Sequence, residues 1–307
     1  MINTIGATGH EDPFTEHRRL LFGIAYRMLG SVADAEDVLQ DAWLKWAGVD
    51  QAGVEHPRAY LVRTVSNLSI NRLTSARATR ETYIGPWLPE PLLSSSDIGP
   101  GTSPDVAERA ELDDSVSMAV LVVLESLSPL ERAVFVLREA FGYSHAEIAQ
   151  ALDRSEASVR QTAHRAQEHV RARRPRYDAD EDARRRITEK FLAACTGGDL
   201  NAVMELLAPD VTSWSDGGGK VRAARRALHG PDHVGRWILG VLAKPDFEGI
   251  TMRLARFNGQ EGVLFYSGDQ PVGTLTVDVS EGRLLHLRTQ INPDKLRGVA
   301  PDAPGSD

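Results

Sequence analysis

Apolar residues recur at three- and four-residue steps over the first part of the chain. Leu20, Leu21, Ile24, Ala25, Met28 and Leu29 form one stripe, which Gly30 ends and Ser31 reopens as an N-cap. A second helix is predicted to bury Ala35, Val38, Leu39, Ala42, Trp43 and Trp46, with Asp34, Asp37, Asp41 and Lys45 on its other side. His56-Pro57 opens a third, with Leu61, Val65 and Leu68 inward. A polar row, Tyr60, Thr64, Asn67 and Asn71, runs outward beside Arg63 and Arg72. Over residues 81–105 the period vanishes among Pro86, Pro89, Pro91, Pro100 and Pro104, which reads as a linker. Trp87-Leu88-Pro89-Glu90-Pro91 within it would cost solubility unless it docks.

Helical pattern returns over residues 106–124 and 129–141, where Leu127-Ser128-Pro129 marks a helix start. Residues 144–174 then give a short helix with Ile148, Ala149 and Leu152 inward, a polar turn at residues 153–155, and a basic helix. That is the layout of a helix-turn-helix DNA reader, although an amphipathic hairpin with an arginine-rich face gives the same pattern. In the second helix Ala157, Val159, Ala163 and Ala166 are expected inside. Ser155 starts it, and Ser158, Arg160, Gln161, Thr162 and Arg165 are expected outside, facing base edges or phosphates.

After Tyr177 the character changes. Residues 187–207 read as one or two helices, Ala208-Pro209-Asp210 as a break, and residues 211–214 as the start of strand-like alternation. Strands are predicted at residues 251–257, 262–267, 272–279 and 284–291, separated by Gly, Asn and Asp turns. The expected organisation is a tail (1–13), an all-α domain (14–80), a Pro/Ser-rich linker (81–112), a second all-α domain (113–175), an α+β domain (178–297) and a tail (298–307).

Composition narrows the class. At 307 residues and 42% hydrophobic content the chain suits two or three soluble domains. The longest apolar run, Met118 to Leu124, is too short to span a bilayer, and the N-terminus lacks a signal-peptide pattern, so a cytoplasmic protein is expected. A single cysteine, Cys195, excludes an internal disulfide and a Cys-rich zinc site. The net charge of -8 argues against nucleic acid only until its distribution is considered. Residues 154–174 carry six arginines against two glutamates, a local +4, and residues 57–80 carry five arginines and no acid. Two basic faces on an acidic body can hold DNA locally and repel it elsewhere.

Three collinear motifs carry a family resemblance. Asp34-Ala35-Glu36-Asp37-Val38-Leu39-Gln40-Asp41-Ala42-Trp43, then Pro57-Arg58-Ala59-Tyr60-Leu61-Val62-Arg63 with Asn67 and Asn71-Arg72, then residues 127–138 with Tyr143-Ser144-His145-Ala146-Glu147-Ile148-Ala149, resemble the extracytoplasmic-function (ECF) sigma factors of bacterial RNA polymerase. The resemblance implies that Asp37, Gln40, Asp41 and Lys45 meet the polymerase clamp helices while Leu39 and Trp43 anchor their helix, and that the second all-α domain meets the flap. It assigns Arg58, Tyr60, Arg63, Asn67, Asn71 and Arg72 to the opened minus-10 strand, and the basic helix to the minus-35 element. An exposed aromatic can stack on an unpaired base and Asn can read its edge; Tyr60 fits equally well as a core residue.

The last domain resembles the SnoaL-like, nuclear transport factor-like fold, a curved sheet and helices around a cone-shaped pocket, as in SigJ-like ECF factors. The segments that carry this are Trp87-Leu88-Pro89 in the linker, Asp216-Gly217-Gly218-Gly219-Lys220, and Asn292-Pro293-Asp294-Lys295-Leu296. The resemblance implies an attached regulator that replaces a separate anti-sigma protein and allows a small ligand in its pocket. It implies no catalytic group, metal, cofactor or membrane partner. Two rival readings stand beside it. One is a one-component regulator whose pocket domain senses a ligand while the helix-turn-helix binds an operator. The other is an enzyme using Trp214, Asp216, His229, His233 and Trp237 around the pocket.

Overall fold

Helix α1 (Pro13–Leu29) starts with proline in its first turn and stops at Gly30, whose φ of 67° lets its N–H reach back to Tyr26 O at 2.7 Å. Ser31 caps α2 (Val32–Ala47), and α3 (Pro57–Glu81) follows. The computed structural model describes residues 12–94, 117–173, 181–296 and 299. The part of the 106–124 helical segment before residue 117 lies outside these.

The second helical region holds α4 (Met118–Leu124), α5 (Pro129–Phe135), α6 (His145–Leu152) and α7 (Glu156–Arg173), with a π turn at Val136–Ala140 after α5. Capping boxes open α5 (Ser128 with Glu131) and α6 (Ser144 with Glu147). The Ser128 and Ser144 bonds hold both glutamates below the usual carboxylate range. One contiguous apolar cluster runs through both helical regions, from Leu21 and Leu61 to Ile148, Val159 and Ala166. The two regions therefore share a core.

The helical wheel corrects three expectations. Trp43 is exposed (48%), because the face formed by Ala35, Val38, Ala42 and Trp46 leaves position 43 roughly 95° off its centre. Thr162 is buried, since it lies three residues after Val159 and four before Ala166, while Ala157 turns away to solvent.

The C-terminal domain opens with α8 (Glu181–Thr196) and α9 (Leu200–Leu206) and builds one six-stranded sheet. Its strands are β1 (Leu207–Asp216), β2 (Leu228–His229), β3 (Ile250–Phe257), β4 (Gln260–Ser267), β5 (Gln270–Ser280) and β6 (Arg283–Gln290), in the order β2-β1-β6-β5-β4-β3. β1 and β6 run parallel and every other neighbouring pair antiparallel. Ala208-Pro209-Asp210, expected as a break, belongs to β1; the β1–β6 register shifts between Leu207 and Thr212, an irregularity that tolerates proline in a strand. Helix α10 (Pro231–Leu242) and β2 were not anticipated.

Alternation along the strands gives the sheet two different faces. Phe191, Cys195, Val203 and Val234 from the helices pack on one face, against Val263, Val277 and Leu287. Burial there pushes the Cys195 thiol up to about 12. The other face presents Asp216, Asp278, Arg288 and Gln290, all buried. A buried ion pair joins Asp278 to Arg288 at 2.6 Å. What covers this polar face is the linker and the second helical region: Ala119 N–H donates to Gln260 Oε1 at 3.3 Å.

Candidate nucleic-acid and interdomain sites

The expected polymerase surface is on the outside of α2. Asp37, Gln40, Asp41 and Lys45 are exposed there, and Leu39 is buried (3%) in the core below them. Trp43 and Leu44, both exposed, add an apolar patch to this surface that the polar pattern did not reveal. Arg58, Arg63, Asn67, Asn71 and Arg72 are exposed along α3, whereas Tyr60 is half-buried with its ring 5.8 Å from that of Trp46.

Arg72 and Asn67 are already engaged. Arg72 bridges Asp34 (2.7 Å) and Asp37 (2.8 Å), which raises its pKa further. The Asn67 amide donates to Ala151 O at 3.2 Å. That carbonyl belongs to the last turn of α6, where helix carbonyls lack intrahelical donors, so Asn67 caps the first helix of the helix-turn-helix. Arg132 makes a further crossing. Only 1% exposed, it pairs with Glu125 at 2.6 Å and donates from Nε to Arg27 O at 3.2 Å.

In the helix-turn-helix, Asp153 takes the left-handed conformation (φ 54°) that ends α6, and Ser155 Oγ accepts from Ser158 N–H to start α7. Ser155, Arg160, Gln161 and Arg165 are exposed, Ser158 is half-buried, and Thr162 points into the core. Arg160 pairs with Glu156 at 2.7 Å along the same helix. Such an exposed pair adds little stability and is easily exchanged for a phosphate.

The interdomain residues converge on Asp216. Its side chain is fully buried. Oδ1 accepts from Tyr83 Oη at 2.6 Å and from Gly218 N–H at 3.1 Å. Oδ2 accepts from Leu88 N–H at 2.9 Å, Lys295 Nζ at 2.7 Å and Gln290 Nε2 at 3.4 Å. Lys295 also donates to Leu88 O at 2.8 Å, and its ammonium sits 4.0 Å from the centre of the Trp87 ring. Asn292 Nδ2 donates to Tyr83 Oη, and burial with the Asp216 bond drives the Tyr83 phenol pKa upward.

Gly218 is at φ 60°, and a Cβ there would fall 2.3 Å from Asn292 Nδ2, so this turn requires glycine. A Cβ on Gly219 would meet Ile84 at 2.9 Å. Lys220 pairs with Asp294 at 2.6 Å across the exposed rim.

From this hub the linker continues to the first helical region. Leu88 to Leu92 is buried throughout. Glu90 lies on Gly30: its N–H donates to Gly30 O, its Oε2 accepts from Val32 N–H at 2.7 Å, and its carbonyl accepts from Tyr26 Oη at 2.7 Å. Asn258 of the C-terminal domain reaches the same Tyr26 Oη at 3.0 Å. Leu93 then bridges to Phe257 as a short antiparallel addition to the edge strand β3. The sequence marks Trp87 to Pro91 for docking, while its partners Tyr26 and Asn258 carry no local signal.

Of the residues expected around a catalytic pocket, only Trp237 lines the cavity. Trp214 and Asp216 point to the opposite sheet face, where Trp214 packs edge-on against His286. His229 and His233 are exposed. Among the described residues the cavity wall carries no histidine and a single carboxylate, Asp246.

Two helical regions, one with an acidic outward helix and one ending in a helix-turn-helix, define a protein that lends promoter selectivity to RNA polymerase. The family described as Sigma-70 region 2 matches residues 14–79, and that described as Sigma-70, region 4 matches residues 117–170. The chain is 40% identical to the ECF RNA polymerase sigma factor SigJ of Mycobacterium tuberculosis (strain H37Rv), over 93% of this chain and 92% of that one. It is 30% identical to the probable ECF sigma factor SigI of the same species (strain CDC 1551), over 91% and 92%. The crystal structure of M. tuberculosis SigJ superposes with a TM-score of 0.72 at 35% identity, covering 93% of this chain and 97% of that one.

This chain belongs to the ECF RNA polymerase sigma factors, and its likeness to SigJ runs through the C-terminal α+β domain. It binds core RNA polymerase and promoter DNA and directs transcription initiation. The comparisons give no support to the one-component regulator. Among the described residues no helix is long and apolar enough to cross a membrane.

Proposed function

We propose that the free chain is a self-closed sigma factor, in which the C-terminal domain and linker clamp region 4 onto region 2 until promoter engagement opens them. In this reading the attached domain takes the place of a separate anti-sigma protein. The observation that carries it is the buried linker, held at Leu88 by Asp216 and Lys295 and at Glu90 by Gly30 and Val32. Asn67, a minus-10 residue, is occupied by the helix-turn-helix in the same state. Opening therefore frees both readers together.

Asp37, Gln40, Asp41 and Lys45 form the polymerase surface, anchored by Leu39 beneath. Arg58, Arg63, Asn67, Asn71 and Arg72 face the opened minus-10 strand, with Tyr60 supporting α3 from the core. Ser155, Ser158, Arg160, Gln161 and Arg165 face the minus-35 duplex; Thr162 leaves that set. The test is initiation by core polymerase on a candidate promoter, comparing the full chain with a clamp-releasing variant. Higher promoter occupancy by the released form is expected, and equal occupancy rejects the closed state.

Two sets of substitutions check the surfaces. Asp37→Lys with Asp41→Lys places like charges against a basic partner, at a cost of several kcal/mol, on the order of a hundredfold in core affinity. Core binding unchanged by this pair in a titration with labelled protein would remove α2 from the interface. Arg160→Ala or Arg165→Ala should weaken minus-35 binding by about 1 to 3 kcal/mol. A base-reading arginine relaxes specificity at one position, and a phosphate-gripping one lowers affinity uniformly and reduces the salt slope.

A further inference from the structure

The helix-covered face of the C-terminal sheet encloses a cavity of about 520 Å³, within the range that holds a small organic molecule. Its body is apolar, walled by Phe191, Ile238, Val241, Phe265, Leu275 and Leu287, with the hydroxyls of Ser213, Ser215 and Thr289 among them. A second, polar cavity joins it, the two sharing Lys220, Val221, Arg222, Ala223, Trp237 and Lys244. This vestibule adds Arg225 and is lined as well by Ile84 and Gly85 of the linker and by Gly217 and Gly219. Four cations, Lys220, Arg222, Arg225 and Lys244, thus face one carboxylate, Asp246. Lys220 is committed to Asp294, while Lys244 lies 5.7 Å from the Trp237 ring centre. Arg222 and Arg225 make no ion pair among the described residues.

We propose that this double cavity binds an amphipathic carboxylate, its hydrocarbon body among the apolar walls and its carboxylate in the cationic vestibule against the linker. Charge complementarity chooses the occupant: a neutral hydrocarbon leaves the guanidinium groups unanswered, and a cation meets them with repulsion. The same strand ends carry both the cavity and the hub. Ser215, Thr289 and Ile291 line the cavity, and their chain neighbours Asp216, Gln290 and Asn292 hold the linker from the opposite face. A carboxylate between Arg222 and the Ile84-Gly85 segment presses on the linker where the clamp begins. The effect on the clamp rests on the closed-state reading; the binding itself does not.

Calorimetry of the full chain with dodecanoate, below its micelle concentration, tests the binding. A Kd in the micromolar range is expected, with dodecanol and dodecyltrimethylammonium weaker by about tenfold or more. Arg222→Glu with Lys244→Glu, both exposed and so expected to fold normally, should remove that preference. The Val272→Trp substitution at the cavity wall should block the body. Absence of dodecanoate binding, equal affinity for dodecanol, or a preference that survives the double reversal would each overturn the proposal. Protease cleavage within residues 82–94, with and without dodecanoate, reads the clamp separately. Faster cleavage supports coupling through the vestibule. Binding with unchanged cleavage overturns the coupling and leaves the carboxylate site standing.

Discussion

Replacing Asp216 with Ala is expected to release the linker. The substitution strands the Lys295 ammonium in a site only 10% exposed, and removes the acceptor of Leu88 N–H, Tyr83 Oη and Gly218 N–H together. Breaking a buried pair by deleting one partner costs about 3 to 5 kcal/mol, most of it from the charge left behind. The loss should appear as protease sensitivity of residues 82–94, a larger radius of gyration in solution, and a lower denaturation midpoint for the C-terminal domain. Adding Lys295→Met should restore most of the stability, because no unpaired charge then remains. It should not restore the linker, which also needs the Lys295 bond to Leu88 O. A single Asp216→Ala chain as compact and as protected as the parent would disprove the hub.

The second large effect is expected at Arg132, the buried cation that joins the two sigma regions. Arg132→Ala leaves Glu125 without the guanidinium at 2.6 Å and Arg27 O without its donor, and opens a side-chain-sized void between α1 and α5. Together these should cost about 3 kcal/mol or more. Because the regions share one apolar cluster, they should loosen together. Amide exchange should rise in α5 to α7 and in the last turn of α1, while the strands of the C-terminal sheet stay protected. Exchange confined to α5 would show that Arg132 serves its own domain only. The two predictions separate in a single experiment, since Asp216→Ala acts through the linker and Arg132→Ala acts between the helices.

Helices were legible in this sequence wherever one face was apolar and the ends were signalled. Gly30, Ser31, Pro57, Ser128-Pro129 and Ser144 with Glu147 each mark a boundary that the structure places within a residue or two. Failures sit where a single stripe could not decide. Trp43 borders the α2 stripe, and an aromatic there reads as core until the neighbouring helices are in place. Thr162 is polar and so suggests an outward position, although its spacing from Val159 and Ala166 puts it inside. Helix α10 is masked in the sequence by its glycines, Gly235 and Gly240, although Pro231 and the row Val234, Ile238 and Val241 spell out a start and a face.

The interdomain site was legible only as three separate segments. Nothing in Trp87-Leu88-Pro89, Asp216 to Lys220 or Asn292 to Leu296 says that one carboxylate joins them, because that meeting depends on the parallel pairing of β1 with β6. Chain-distant pairing carries no local signal. The grouping of Trp214, Asp216, His229, His233 and Trp237 around one pocket does not hold for a related reason. Residues grouped by type, Trp214 and Asp216 among them, proved to lie on the far side of the sheet from the cavity.

The two-residue rhythm of β1 and β6 also restricts how this chain can change length. One amino acid inserted or removed between Ser213 and Asp216 would turn the carboxylate into the oily interior, and one between Leu287 and Gln290 would swap the Gln290 amide with the Thr289 hydroxyl across the sheet. Indels there are tolerable only in twos. The hairpins at Gly268 and Gly282 face open space instead, so residues added at those turns would meet no packed neighbour.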